Sequence, residues 1–152
     1  MTEEKTGDPV GASYAHARAL EILAASRPTN IKASAEELLD TLGDVDVVVN
    51  RTGLVMLPLT DTVQGTAFHL GEVLVSEAHI RVPGRSVEGY GAIVGRDLEH
   101  AMAMAIIDAA IASNHRTDII LELLNAEGDR QREDDRQLLR KVEATRVQME
   151  TF

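Results

Sequence analysis

From Ala101 to Ala112 the chain reads AMAMAIIDAAIA, with Asp108 as its one polar residue. A helix that is apolar on nearly every side must be covered on nearly every side. At about 1.5 Å per residue it is too short to cross a bilayer, so its cover is protein. That cover is either the rest of this domain or another subunit. Four outer elements are few for the task, which favours a subunit interface. Asp97 suits the N-cap, and Glu99 in the first turn suits the helix dipole, giving a helix over Leu98–Ala112. Asp108 belongs on a solvent-facing edge; if buried, it needs a partner.

The 152 residues suit one ordinary domain, with residues 1–11 as a loose tail and 12–152 as the folded unit. With 15 Lys+Arg against 25 Asp+Glu, the formal charge is −10, which repels a phosphate backbone and argues against nucleic-acid binding. The chain has no cysteine, which excludes disulfides, thiolate metal sites and cysteine nucleophiles. Met1–Gly11 has no apolar segment of signal-peptide type, and no run is long enough to span a membrane. The expected location is the cytoplasm.

A first helix is expected over Ala12–Ala25, with Leu20, Leu23 and Ala24 as its stripe. A second is expected from Ser34, whose capping box with Glu37 precedes Leu38, Leu39 and Leu42, ending at Gly43. Val45–Asn50 and Gly53–Leu57 then read as two strands joined by a turn at Asn50–Gly53. Asp61–Thr66 reads as a loop. A longer strand, Glu72–Val82, and a fourth, Val87–Val94, form a hairpin around Pro83–Ser86. In the long strand Leu74, Ser76, Ala78, Ile80 and Val82 share one face; Val73, Val75, Glu77, His79 and Arg81 share the other. This second face is either a solvated surface or one covered by a partner. Past a break at Asn114–Thr117, a short helix is expected over Asp118–Leu124, ending at Asn125–Gly128. A peripheral helical tail follows, with Asp129/Arg132 and Glu133/Arg136 spaced for pairing and Leu138, Leu139, Val142, Val147 and Met149 as a thin apolar edge.

No phosphate-binding loop, dinucleotide fingerprint, nucleophile elbow or zinc-protease motif occurs. Gly89 and Gly91 lie inside a strand, marking a bulge or a close backbone approach. The five histidines are scattered; His69, His79 and His100 are the set that could converge, but no metal site is expected. Two junctions carry candidate chemistry. In Phe68-His69-Leu70-Gly71-Glu72, Glu72 is either an exposed carboxylate after a turn or one aimed at a partner or ligand. In Gly95-Arg96-Asp97, the corner is either a strand stop plus a cap or an anion site, with Arg96 beside free helix N–H groups and Asp97 and His100 close by.

Taken in order, Thr52-Gly53-Leu54-Val55, the segment Phe68–Val75, Gly89-Tyr90-Gly91-Ala92-Ile93-Val94-Gly95-Arg96-Asp97, Ile107-Asp108-Ala109 and Val142–Val147 resemble the PhnG family. This is the G subunit of the bacterial carbon–phosphorus lyase core complex. The resemblance spans about residues 12–150. It implies phosphonate breakdown, in which the ribose 5-triphosphate part of ATP passes to methylphosphonate and adenine leaves. It also implies partners, the H, I, J and L subunits (PhnH, PhnI, PhnJ and PhnL). The family supplies no catalytic residue to carry over, and neither cofactor nor metal is implied for this chain.

The expected fold is α+β: a four-stranded, mainly antiparallel sheet flanked by N-terminal helices and the long apolar helix, with a C-terminal helical tail. The expected role is an accessory subunit that completes a neighbour's active site. Met102, Met104, Ile107 and Ile111 on the helix, with Val73 and Val75 on the sheet, are the candidate interface residues. Glu72, Arg96, Asp97 and His100 are the candidate substrate-binding residues. The alternative is a self-sufficient small homo-oligomeric enzyme or anionic-ligand-binding protein built on those same four. In isolation the chain is a candidate homo-oligomer.

Overall fold

The computed structural model describes residues 13–146; the expected N-terminal tail, Val147 and Met149 lie outside them. In chain order the elements are α1 (His16–Ala24), α2 (Pro28–Leu42), β1 (Asp46–Thr60), β2 (Ala67–Val82), β3 (Val87–Val94), α3 (Leu98–Ala112) and α4 (Thr117–Ala144). Among the described residues the sheet has three strands in the order β1-β2-β3, antiparallel throughout, so the expectation of four is wrong.

The missing strand has a local cause. Asn50–Gly53 forms no turn, and Gly53 keeps a negative φ. The two expected strands, Val45–Asn50 and Gly53–Leu57, instead merge from Asp46 onward into one 15-residue strand, whose ladder to β2 runs from Asp46↔Arg81 to Thr60↔Ala67. β2 is correspondingly longer than expected, so Phe68–Glu72 is strand rather than a turn into one. Irregularities interrupt the ladder between Val47 and Val49 and between Leu57 and Pro58. The β2–β3 hairpin forms as expected, from Val82↔Val87 to Val75↔Val94, around a short 3₁₀ turn at Pro83–Arg85.

The expectation that another subunit covers α3 is also wrong. Ten of its fifteen residues are buried within this chain, including Met104 and Ile107. Close approach to β3 makes this achievable. A Cβ on Gly89 would lie 2.0 Å from the Ala105 carbonyl oxygen, and one on Gly91 would lie 2.3 Å from that of Ala101. The two glycines therefore let helix backbone rest directly on strand backbone, against the small stripe of Ala101, Ala105 and Ala109. Ile31, Ala35, Leu38 and Leu42 of α2, Ala19, Ile22 and Leu23 of α1, and Ile120 and Leu124 of α4 complete the core.

Three helix boundaries differ from expectation. α1 begins at His16 rather than near Ala12. α2 opens at Pro28, where proline's missing N–H costs nothing, and Ser34 lies in mid-helix rather than at a cap. α4 runs unbroken through Asn125–Gly128, because Gly128 is buried and sits where an added Cβ would touch Ile22 at 3.4 Å. The preceding break is as expected, with Asn114 and Arg116 both at positive φ. The pairs Asp129–Arg132 and Glu133–Arg136 form along the exposed outer part of α4.

Candidate functional site

The Gly-Arg-Asp corner is a joint between β3 and α3. Gly95, at φ +109°, donates its N–H to the Leu74 carbonyl at 2.8 Å, a conformation L side chains rarely adopt. The buried Ser76 hydroxyl donates to the Gly95 carbonyl at 2.7 Å and accepts the Asp97 N–H at 3.0 Å. Asp97 caps α3 by accepting the His100 N–H at 2.9 Å. That bond, with Lys32 3.5 Å away, holds the Asp97 carboxyl below its ordinary range. Glu99 pairs with Lys32 at 2.9 Å and raises the ammonium's pKa.

The four candidate ligand residues are not brought together as a site. His100 is buried; its Nε2–H donates to the Leu23 carbonyl at 2.9 Å, tying α3 to α1. Asp97 is committed to its cap. Arg96 is exposed, and Glu72 lies on the exposed part of β2 opposite Met56. Among the described residues no ion pair joins Arg96 or Glu72 to anything, and the corner's negative groups offset the attraction of a helix N-terminus for an anion. The histidines do not converge either. His100 is on the helix side, His79 on the open sheet face, and His69 on the exposed part of β2. Among the described residues no group of three His, Asp or Glu is placed to hold a metal ion.

Asp108 is buried rather than solvent-facing, and it has the partners this requires. Its Oδ1 lies 2.6 Å from His16 Nε2, and its Oδ2 accepts the Tyr90 N–H at 2.9 Å. Tyr90 is on β3, so a side chain of α3 satisfies a strand amide that no further strand takes up among the described residues.

The open sheet face is laced by two carboxylates. Glu77 accepts from the Tyr90 hydroxyl at 2.7 Å and from Arg51 at 2.6 Å, and these hold its pKa low. The same hydrogen bond raises the Tyr90 phenol. Glu88 is lowered by His79 at 2.9 Å and Arg81 at 3.1 Å. Val73 and Val75 on this face are half-buried.

A run of exposed apolar residues lies elsewhere. β3 pairs with β2 only from Val75 to Val82. Beyond that point, among the described residues, β1 and β2 pair only with each other, forming a two-stranded arm over residues 54–60 and 67–74. Leu54 (65% exposed), Met56 (56%) and Leu70 (62%) stand in solvent there, with Leu59 and Phe68 beside them. A two-stranded ribbon is marginal alone, and an apolar patch of this kind marks an interaction surface. At its base an apolar groove of about 270 Å³ opens between α2, α3 and β1, lined by Leu39, Asn50, Leu98, Met102 and Ile106. Met102 thus reaches an open surface while its neighbours Met104 and Ile107 do not; Ile111 is partly buried at the edge of the core. Reading Asn50–Gly53 as a turn hid this arm. The continuous apolar run of 54–59, followed by Phe68 and Leu70, is the signal for it.

A family model described as phosphonate metabolism protein PhnG matches residues 15–152. The chain belongs to the PhnG family. The match takes in every element described above, including the arm and the Gly-Arg-Asp corner. It assigns the chain to phosphonate metabolism. Among the described residues of this PhnG family member, no helix is long and apolar enough to cross a membrane.

Proposed function

We propose that this chain is an accessory subunit of the carbon–phosphorus lyase core complex. It would be required for transfer of the ribose 5-triphosphate moiety of ATP to methylphosphonate with release of adenine. In this reading it works in the cytoplasm beside the H, I, J and L subunits and contributes surface rather than a reacting group. The observation that carries the reading is the apolar arm, exposed over both strands on a chain whose family belongs to phosphonate metabolism. The corner supports it: Asp97 and His100 already have structural duties, which leaves Arg96 without a catalytic companion.

Purified chain is mixed with ATP and methylphosphonate, with and without the remaining subunits, and adenine release is followed. The expected result is no release by the chain alone, release by the full set, and loss when this chain is omitted. Turnover by the isolated chain would overturn the proposal.

A further inference from the structure

The sheet has two edges, treated in opposite ways. On β3 the Tyr90 amide is taken by Asp108, and the strand lies on α3. On β1 all fifteen residues have no neighbouring strand on the far side among the described residues. A long apolar edge of this kind is a template for strand addition. We propose that β1 pairs antiparallel with β1 of a second copy of this chain, about a two-fold axis through Gly53. The inference rests on reading the arm as an assembly surface, and it names the arm's occupant.

Four observations fit a second copy in that register. The axis places Asn50 opposite Met56 and Thr52 opposite Leu54 on the helix-side face, and Arg51 opposite Val55 and Val49 opposite Leu57 on the open face. Every pair meets on one face, as an antiparallel ladder requires. The only charged residues of β1 are Asp46 and Arg51, so two copies of a chain carrying −10 meet along a strand of no net charge. Past the unpaired Val48 the faces shift by one, which sets Asp46 opposite Leu59, and no like charges oppose one another.

The one unpaired residue of β1 also fits this symmetry. Val48, which has no partner in β2, shares with Val47 the place opposite Pro58, whereas the second interruption skips Leu70 of β2 and leaves β1 regular there. Proline lacks an N–H, so the missing donor coincides with the place where the ladder is already broken. Finally, Asn50 lines the apolar groove beneath β1. With Met56 of the second copy beside Asn50, each arm lies across the other chain's groove and both apolar surfaces are covered.

The chain has no cysteine, so one introduced thiol can form only intermolecular disulfides. On the axis two copies of position 53 face each other at roughly 4.5–5.5 Å between Cα atoms, within disulfide range. Nothing lies within 4 Å of a Cβ added at Gly53 or at Gly71, so both positions tolerate cysteine. Sedimentation of the full chain is expected to give twice 16.5 kDa, and Gly53→Cys is expected to cross-link under mild oxidation while Gly71→Cys does not. Met56→Lys combined with Leu54→Lys is expected to give a monomer with an unchanged circular dichroism spectrum. A wild-type monomer at micromolar concentration, or equal cross-linking at both cysteine positions, overturns the inference. If that monomer still supports adenine release with the other subunits, the accessory reading survives alone. A dimer that supports no release leaves the pairing standing and sinks the accessory reading.

Discussion

Asp108 on α3 accepts the backbone N–H of Tyr90 on β3 at 2.9 Å, so a carboxylate buried in the most apolar helix of the chain fastens that helix to the sheet. Its other oxygen meets His16 at the start of α1, which makes Asp108 a three-way tie between elements distant in sequence. Replacing it with alanine strands a strand amide and opens a void. We expect Asp108→Ala to cost about 2–4 kcal/mol and Asp108→Asn, which keeps an acceptor for Tyr90, about 1–2 kcal/mol. Urea unfolding of the two variants checks the order. Equal losses would mean that the tie to Tyr90 contributes little.

The close approach of α3 to β3 gives a second test. Gly89→Ala and Gly91→Ala place a methyl group 2.0 Å and 2.3 Å from helix carbonyl oxygens, which cannot swing aside as a side chain would. Each is expected to cost at least about 3 kcal/mol, the upper range of overpacking, or to prevent folding. Gly71→Ala, in open space at ordinary φ, is expected to stay within about 0.5 kcal/mol of wild type. Thermal unfolding of the three variants reads the contrast.

How much of this was legible in the sequence differs from feature to feature. The hairpin at Pro83–Ser86, the Asp97 cap and the strand glycines could be read because each has a local cause within a few residues. The sequence of α3 points to burial on nearly all sides, which ten of its fifteen residues meet, but not to the right cover. Part of its cover comes from helices distant in sequence, as the His16–Asp108 contact 92 residues apart shows, and local pattern does not count such neighbours. The strand count failed at Asn50–Gly53, where a Gly-bearing polar tetrapeptide has turn composition but a 14-position ladder to β2 overrides it. Composition is a weak prior there, and cross-strand pairing decides. The His16–Asp108 contact, 92 residues apart in sequence, left no local mark.

At the Gly-Arg-Asp corner, adjacent residues are expected to behave differently. Arg96 is exposed and unpaired among the described residues, whereas His100 is buried on the Leu23 carbonyl. Arg96→Ala is expected to leave stability within about 0.5 kcal/mol, and His100→Ala to lower it by about 2–3 kcal/mol through the lost hydrogen bond to the Leu23 carbonyl and the void the buried ring leaves. Adenine release by the complete assembly is expected to survive Arg96→Ala within about twofold, because Asp97 already occupies the helix N-terminus. A large loss with assembly intact would return Arg96 to a substrate site; dissociation would place it at an interface.

Glu127 supplies a pH test. It is 1% exposed, and burial alone would raise its carboxyl. Hydrogen bonds from the Asn30 amide at 2.6 Å, the Arg27 N–H at 3.1 Å and Arg130 at 3.0 Å outweigh burial and leave the group below its ordinary 4.5. A carboxylate whose folded pKa lies below its unfolded one contributes stability above the unfolded value and loses it as pH falls through the folded one. Glu127→Gln removes that titration. Near neutral pH the variant is expected to be less stable by about 1–3 kcal/mol, because Arg130 and the opening of α2 lose a charged acceptor. Below pH 4.5 the wild type loses its advantage while the variant, still carrying the other lowered carboxyls, declines less steeply. Urea midpoints measured from pH 7 to pH 3 should therefore converge; a gap independent of pH would mean that Glu127 acts by packing rather than by charge.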